Sequence, residues 1–147
     1  MPSSIRVEEA TEPLEGLAEE VRRLVGQLSR SASPPSDAEI EEIILSPASR
    51  LLLARDDSGT LVGMMTLAVF RIPTGVRAWV EDVVVDTGRR GQGIGAGLIE
   101  ASLELAERLG ARTVDLTSRP GREDANRLYR RLGFVQRETN VYRFEGR

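Results

Sequence analysis

Apolar residues return every three or four positions at Leu14, Leu17, Val21, Leu24, Val25 and Leu28, the spacing of one helix face. Thr11 and Pro13 mark the expected start of this helix, which should run to about Gln27. Ile5 to Glu8 precedes it as a short first strand. After a Ser- and Pro-rich connector from Ser29 to Ser36, Ser36 and Glu39 form a capping box ahead of Ile40, Ile43 and Ile44. Ser46-Pro47 ends this second helix. The period then changes. Arg50 to Arg55, Leu61 to Phe70 and Arg77 to Val85 are apolar and β-branched, separated by Asp56-Asp57-Ser58-Gly59 and Pro73-Thr74-Gly75, which predicts an antiparallel meander. Helical spacing resumes from Gly93 to Leu109 through Ile94, Leu98, Ala101 and Leu105, with Gly110 as the stop. Thr113 to Thr117 is the next strand and Glu123 to Leu132 a further helix closed by Gly133. Val135 to Phe144 is expected to hold one or two closing strands. The chain therefore predicts one α/β domain over residues 1–147: a mixed six- or seven-stranded sheet flanked by about four helices, in the order β-α-α-β-β-β-α-β-α-β(-β).

Composition removes mechanisms. The chain has no Cys, no His and no Lys, so all 20 basic residues are Arg. A Cys or Lys covalent intermediate, a Ser-His or Cys-His pair and a zinc site of Cys or His are excluded, and no metal is expected. Catalysis must rest on carboxylates, Tyr, Ser or Thr hydroxyls, or backbone dipoles. A net charge of -3 argues against a nucleic-acid partner, for which a basic domain is expected, and favours cationic substrates. The start Met1-Pro2-Ser3-Ser4, followed by Glu8, Glu9 and Glu12, lacks the basic and apolar segments of a secretory signal. The longest apolar run, Leu61 to Phe70, is about half the ~20 residues of a membrane span. A cytoplasmic protein with no membrane partner is the expectation.

Between the strand ending at Val85 and the next helix lies Arg89-Arg90-Gly91-Gln92-Gly93-Ile94-Gly95-Ala96-Gly97. Glycine there permits positive φ and lets a ligand touch the backbone. Free N–H groups at a helix start make an anion site suited to a diphosphate. Arg89 and Arg90 would reinforce it, and no acidic residue occurs from Thr87 to Ile99. Three readings compete: a purely structural turn, a dinucleotide-binding turn, and a loop for the diphosphate of another cofactor, which the following motifs bear on. Gly91, Gly93 and Ala96 fit G-x-G-x-x-A with Asp115 about 20 residues on. That context fails, because only about 50 residues remain for the rest of a doubly wound sheet.

Arg90-Gly91-Gln92-Gly93-Ile94-Gly95 matches the R/Q-x-x-G-x-G/A motif of the GNAT superfamily of acyl-CoA-dependent N-acetyltransferases. Trp79-Val80-Glu81-Asp82-Val83-Val84-Val85-Asp86 is similar to the strand leading into that motif. Asn126-Arg127-Leu128-Tyr129-Arg130-Arg131-Leu132-Gly133-Phe134 resembles the family's N-x-x-x-Y-x-x-x-G-F helix, with Asn126 three positions before Tyr129, a slight departure from some members. The resemblance spans residues 79 to 134 and implies a GNAT fold with acetyl-CoA as co-substrate. In that fold the strand ending at Val85 splays from the Thr113 to Thr117 strand, and pantetheine lies in the gap, paired near Val83, Val84 and Val85. The diphosphate sits on amides of Gly91, Gln92, Gly93, Ile94 and Gly95, beside Arg90 and Ala96. Asn126 and Tyr129 also touch the cofactor.

Attack by a protonated amine requires a base. Glu81 and Asp82 are the candidates; strand alternation sends them to opposite faces and places Glu81 with Val83 and Val85. Glu81 is preferred, with Asp82 in reserve and a water relay as the third route. Two ordinary strand-end carboxylates is the plain alternative. The leaving thiolate gains from a proton, and Tyr129 carries a phenol able to give it; packing alone is its other role. Val83 N–H is placed to polarise the thioester carbonyl. Arg119, Arg122 and Arg127 are either contacts for the 3'-phosphate or a solvated basic face. Trp79 and Phe70 line the acceptor pocket or belong to the core, core being the default.

The expectation is direct acetyl transfer to a primary amine of a small molecule or peptide through a ternary complex. A non-catalytic acyl-CoA-binding regulatory module is the rival, and nucleic-acid binding by the Arg clusters the third reading. The acceptor pocket of the family is shaped by the first two helices and by loops near Ser29 to Ser36 and Phe70 to Val76, which carry no readable acceptor signature. The resemblance allows a homodimer paired through the sheet or the C-terminal strand without fixing the oligomeric state.

Overall fold

Four antiparallel strands build the frame, and a fifth strand joins it in parallel through a helical crossover. In the computed structural model, which describes residues 4–146, these are β1 (Arg6–Glu9), β2 (Ser49–Arg55), β3 (Leu61–Ile72), β4 (Gly75–Val85) and β5 (Ala111–Asp115), in the spatial order β1-β2-β3-β4-β5. Met1, Pro2, Ser3 and Arg147, included in the expected domain, lie outside the described residues. Helices α1 (Leu17–Leu28), α2 (Asp37–Leu45), α3 (Ile94–Arg108) and α4 (Glu123–Arg131) complete the element list. The chain divides into two compact units, Met1–Leu116 with the sheet and three helices, and Thr117–Arg147 with α4.

In the first unit the register sorts side chains onto two faces. Leu51 pairs with Thr66 and Leu53 with Met64, and directly opposed residues project to the same side. That side carries Leu51, Leu53, Met64 and Val84 into one cluster with Leu17, Val21 and Leu24 of α1 and Ile40 and Ile44 of α2. The opposite side carries Gly63, paired with Ala54, and receives α3. A Cβ at Gly63 would lie 2.9 Å from Ile94 Cγ2, 3.2 Å from Leu98 Cδ1 and 3.2 Å from Val84 O. Glycine thus lets the first turns of α3 lie against β3. Because both faces are covered, β3 is buried without interruption from Leu61 to Met65. Gly63→Ala is expected to lower stability by about 1–3 kcal/mol through this overlap; an unchanged midpoint in urea unfolding would contradict it.

Local signals set most boundaries. Ser36 Oγ accepts from Glu39 N at 3.1 Å and Glu39 Oε1 from Ser36 N at 2.9 Å, so the capping box that opens α2 is formed in full. The first helix begins later than Thr11 and Pro13 predict. Leu17 N donates to Leu14 O in a turn, Gly16 is the N-cap in a left-handed conformation, and Leu14 stays 64% exposed instead of joining the apolar face. The strand expected at Thr113 to Thr117 lies two residues earlier.

The α/β class with a mixed sheet and four helices is as expected, with five strands among the described residues. In the second unit, α4 is followed by Gly133 at φ 101, and no strand forms from Val135 to Phe144. Val135, Val141, Tyr142 and Phe144 are 73–88% exposed. Strand-forming composition expresses fit to a half-buried pleated surface, and this segment has no ladder partner among the described residues. No helix among the described residues is long and apolar enough to cross a membrane.

Candidate functional site

The end of β4 departs from regular alternation. Glu81 pairs with Thr66 and Val84 with Met64, so three steps on β4 match two on β3. The extra residue makes a bulge, and Asp82 within it has φ 50, the one non-glycine residue at positive φ among those described. Thr66 and Met64 lie on one side of β3, so Glu81 and Val84 share the face of α1 and α2. Val85, paired with Gly63, lies on the other face. This corrects the expected grouping of Glu81 with Val83 and Val85: the two-residue period holds only while no residue is inserted. Both Glu81 and Asp82 are exposed.

The same strand loses its neighbour before it ends. β4 pairs with β5 at Val76, Arg77, Ala78 and Trp79. From Val80 to Val85 it has no partner on that side among the described residues, so its backbone groups form an open edge. Val83, Val84 and Val85 lie along this stretch. Trp79 is half-buried, and Phe70 is 38% exposed, so the default assignment of both to the core does not hold.

Beyond Asp86 and a 3-10 turn at Thr87–Arg89, the chain enters the glycine-rich bend. Gly91 has φ 80 and Gly93 φ 77, and neither would meet an atom within 4 Å if it carried a Cβ. Positive φ, not crowding, is what demands glycine here. The local backbone bonds stop with Arg89 N donating to Asp86 O at 2.8 Å and resume with Gly97 N donating to Gly93 O at 3.0 Å. Between them, the N–H groups of Gly91, Gln92, Gly93, Ile94, Gly95 and Ala96 donate to no acceptor among the described residues. The last three are the unsatisfied donors of the first turn of α3, at the positive end of the helix dipole. Such donors fit a diphosphate group, and no carboxylate stands in the bend to repel one.

The two arginines ahead of the bend differ. Arg89 donates to Asp56 Oδ2 at 2.8 Å and to Gln92 Oε1 at 3.2 Å. It is therefore held by the β2–β3 turn, contrary to the expectation that it lends its charge to the anion. Its hydrogen bond is the main reason Asp56 is held below the ordinary carboxylate range. Arg90 makes no ion pair among the described residues and is the guanidinium left for a ligand. At the base of the bend, the hydrogen bond from Arg23 holds the carboxyl of Asp86 below its ordinary value.

In the second unit, α4 carries Asn126 and Tyr129. Asn126 Nδ2 donates to Arg119 O at 2.9 Å, closing the loop that precedes the helix. Tyr129 packs edge-on against Phe134, with ring centroids 5.8 Å apart. Desolvation raises its phenol above the ordinary value, only partly opposed by the charge of Arg122. The group thus stays protonated at neutral pH and able to donate. Arg127 pairs with Asp124, and Arg122 is the N-cap residue of α4.

Residues 17–134 match the Acetyltransferase (GNAT) family. The chain belongs to that family. Over 140 residues it is 31% identical to glucosamine 6-phosphate N-acetyltransferase 1 of Oryza sativa subsp. japonica, covering 88% of this chain and 82% of the relative. It is 39% identical over 105 residues to a mycothiol acetyltransferase of Clavibacter sepedonicus, covering 71% of this chain. The aligned region is 33% of that relative's length. The fold is similar to that of an aminoglycoside N-acetyltransferase in complex with CoA: TM-score 0.82, 18% identity, 99% of this chain and 97% of that one covered.

For this GNAT family member, sequence reasoning missed the anchors of the bend. Asp56, Arg23 and Gln27 reach it from 33 to 63 positions away, and no local spacing signals such contacts. Asp86 alone left a trace, since Asp followed by Thr-Gly is a composition that caps a short turn. Its side chain accepts from Gly88 N.

Proposed function

We propose that the chain is an acetyl-CoA-dependent N-acetyltransferase, residues 1–147 acting as one catalytic domain, that passes acetyl directly to a primary amine within a ternary complex. The observation that carries this reading is the run of unclaimed amides at residues 91–96, set where the open edge of β4 ends. Acetyl-CoA supplies the acyl group already activated as a thioester. Amides of Gly91 to Gly95, with Arg90, hold its diphosphate, the edge at Val83 to Val85 pairs its pantetheine, and Ala96 and Asn126 complete the contacts.

Glu81 is the base that takes the proton lost by the attacking ammonium. Its place on the face shared with α1 and α2, and its exposure, support that role; Asp82 or a water between them is the alternative route. Val83 N–H donates to the thioester oxygen, where negative charge grows during attack. Tyr129 donates its proton to the sulfur as the carbon–sulfur bond breaks, and the second proton that the nitrogen loses as the amide forms restores the phenol. The thioester is activated enough for direct attack, and the chain has no Cys, His or Lys to carry an acetyl-enzyme on a thiol, imidazole or amine side chain.

The acceptor is a small-molecule amine, as the names of the relatives that act on glucosamine 6-phosphate and mycothiol suggest; a peptide amine is the second class. The test is CoA release from acetyl-CoA across a panel of amino sugars, polyamines, aminoglycosides and peptide N-termini. Intersecting initial-rate patterns are expected with the accepted amine. Parallel ping-pong patterns, or a trapped acetyl-enzyme, would overturn direct transfer. Tight CoA binding with no turnover on any amine would favour a regulatory acyl-CoA-binding module.

A further inference from the structure

The N–H groups of residues 91–96 donate to no backbone acceptor among the described residues, so the form of the bend must be imposed at both ends. One end is set by α3, whose Ile94 and Leu98 are 2% and 0% exposed against the Gly63 gap. The other end is Asp86. Its N–H donates to Val62 O at 2.8 Å, and its carbonyl accepts from Arg89 N. Its side chain accepts from Gly88 N at 3.3 Å. All three bonds fix the path by which the chain leaves β4.

Helix α1 reaches the same residue. Arg23 Nη1 donates to Asp86 Oδ2 at 2.9 Å while its Nη2 donates to Leu61 O at 2.6 Å. Gln27, one helical turn on, donates from Nε2 to Asp86 Oδ1 at 3.4 Å and accepts from Thr87 N at 2.9 Å. Two side chains of one helix therefore grip the carboxylate and the next peptide together. The Arg23 side chain is 43% exposed and that of Asp86 22%. An ion pair so open to water contributes little to global stability. Its geometric effect on the bend is a separate matter, because ahead of Ile94 the path is otherwise tied, among the described residues, only through the Arg89 side chain, which links Asp56 Oδ2 to Gln92 Oε1.

We propose that Asp86, held by Arg23 and Gln27, is a positioning residue that sets the bend so that its free amides converge on a diphosphate. The inference rests on the CoA reading given above and adds to it the residues that shape the site from behind. Asp86 itself touches no ligand in this scheme. Its negative charge, close to a site for an anion, is tolerable because Arg23 neutralises it.

The experiment compares wild type, Asp86→Ala, Asp86→Asn and Gln27→Ala. CoA affinity is read by calorimetry, and steady-state KM is read with acetyl-CoA and with acetyl-pantetheine, which lacks the diphosphate. Asp86→Ala is expected to weaken CoA about tenfold and raise the KM for acetyl-CoA similarly. The KM for acetyl-pantetheine should stay within about twofold. Asp86→Asn, which keeps an acceptor for Gly88 N, should recover part of the loss. Gln27→Ala should lose about threefold and serves as the readout if Asp86→Ala does not fold. Unchanged CoA affinity in both Asp86→Ala and Gln27→Ala overturns the proposal, as does equal damage with the two donors, which would mark a general structural role. Wild type that fails to bind CoA would instead sink the functional reading itself.

Discussion

Gly93→Val is expected to weaken CoA binding by at least about a hundredfold while leaving the protein folded. Gly93 caps α3 at φ 77, and a Cβ there would meet nothing within 4 Å. The penalty is therefore conformational: a β-branched residue avoids the left-handed region strongly, and the chain must take another path into the helix. That path turns the amides of Ile94, Gly95 and Ala96 away from their common target. A hydrogen bond to a charged group contributes roughly 1.5–3 kcal/mol, so losing two is worth roughly a hundredfold to ten-thousandfold in affinity. Gly93→Asn is the control. Asn enters the left-handed region more readily than other side chains, so its loss should stay within about tenfold. Calorimetry with CoA on both variants gives the answer, and Gly93→Val binding as wild type does would show that the diphosphate lies elsewhere.

What the sequence revealed of this site was the part written in neighbouring residues. The glycines of the bend, the capping box of Ser36 and Glu39 and the helical stripe through Leu98 and Leu105 each depend on contacts within one or two turns, so spacing alone exposes them. The face on which Glu81 lies was not legible. A single inserted residue at Asp82 reverses the phase between Glu81 and Val85, and no composition distinguishes a bulged strand from a regular one. The role of Arg89 was hidden for a different reason. Its partner, Asp56, sits 33 residues earlier, and only the β2–β3 turn folding beside the bend makes the pair. The segment from Val135 to Phe144 shows the converse limit: strand-like residues remain without a ladder where no partner strand meets them.

Tyr129→Phe should lower kcat by about a hundredfold, the lower range for loss of a positioned general acid. The affinity for acetyl-CoA should stay within about threefold. The substitution removes one oxygen and keeps the ring, so the edge-on contact with Phe134 at 5.8 Å survives and the fold of α4 is not at risk. A kcat effect without a binding effect is the signature of an interaction made only in the transition state. The proton itself offers a second check. Desolvation holds the phenol above its ordinary value of about 10, so the acid form persists through the neutral and mildly alkaline range. In wild type, the loss of kcat that comes from ionising this acid should begin only above that value. In Tyr129→Phe this alkaline limb should disappear, leaving a slow rate that solvent protons sustain. An assay limited by acetyl transfer, confirmed by single-turnover rates, decides the matter. An unchanged rate there would remove Tyr129 from the chemistry and leave the departing sulfur to be protonated by water.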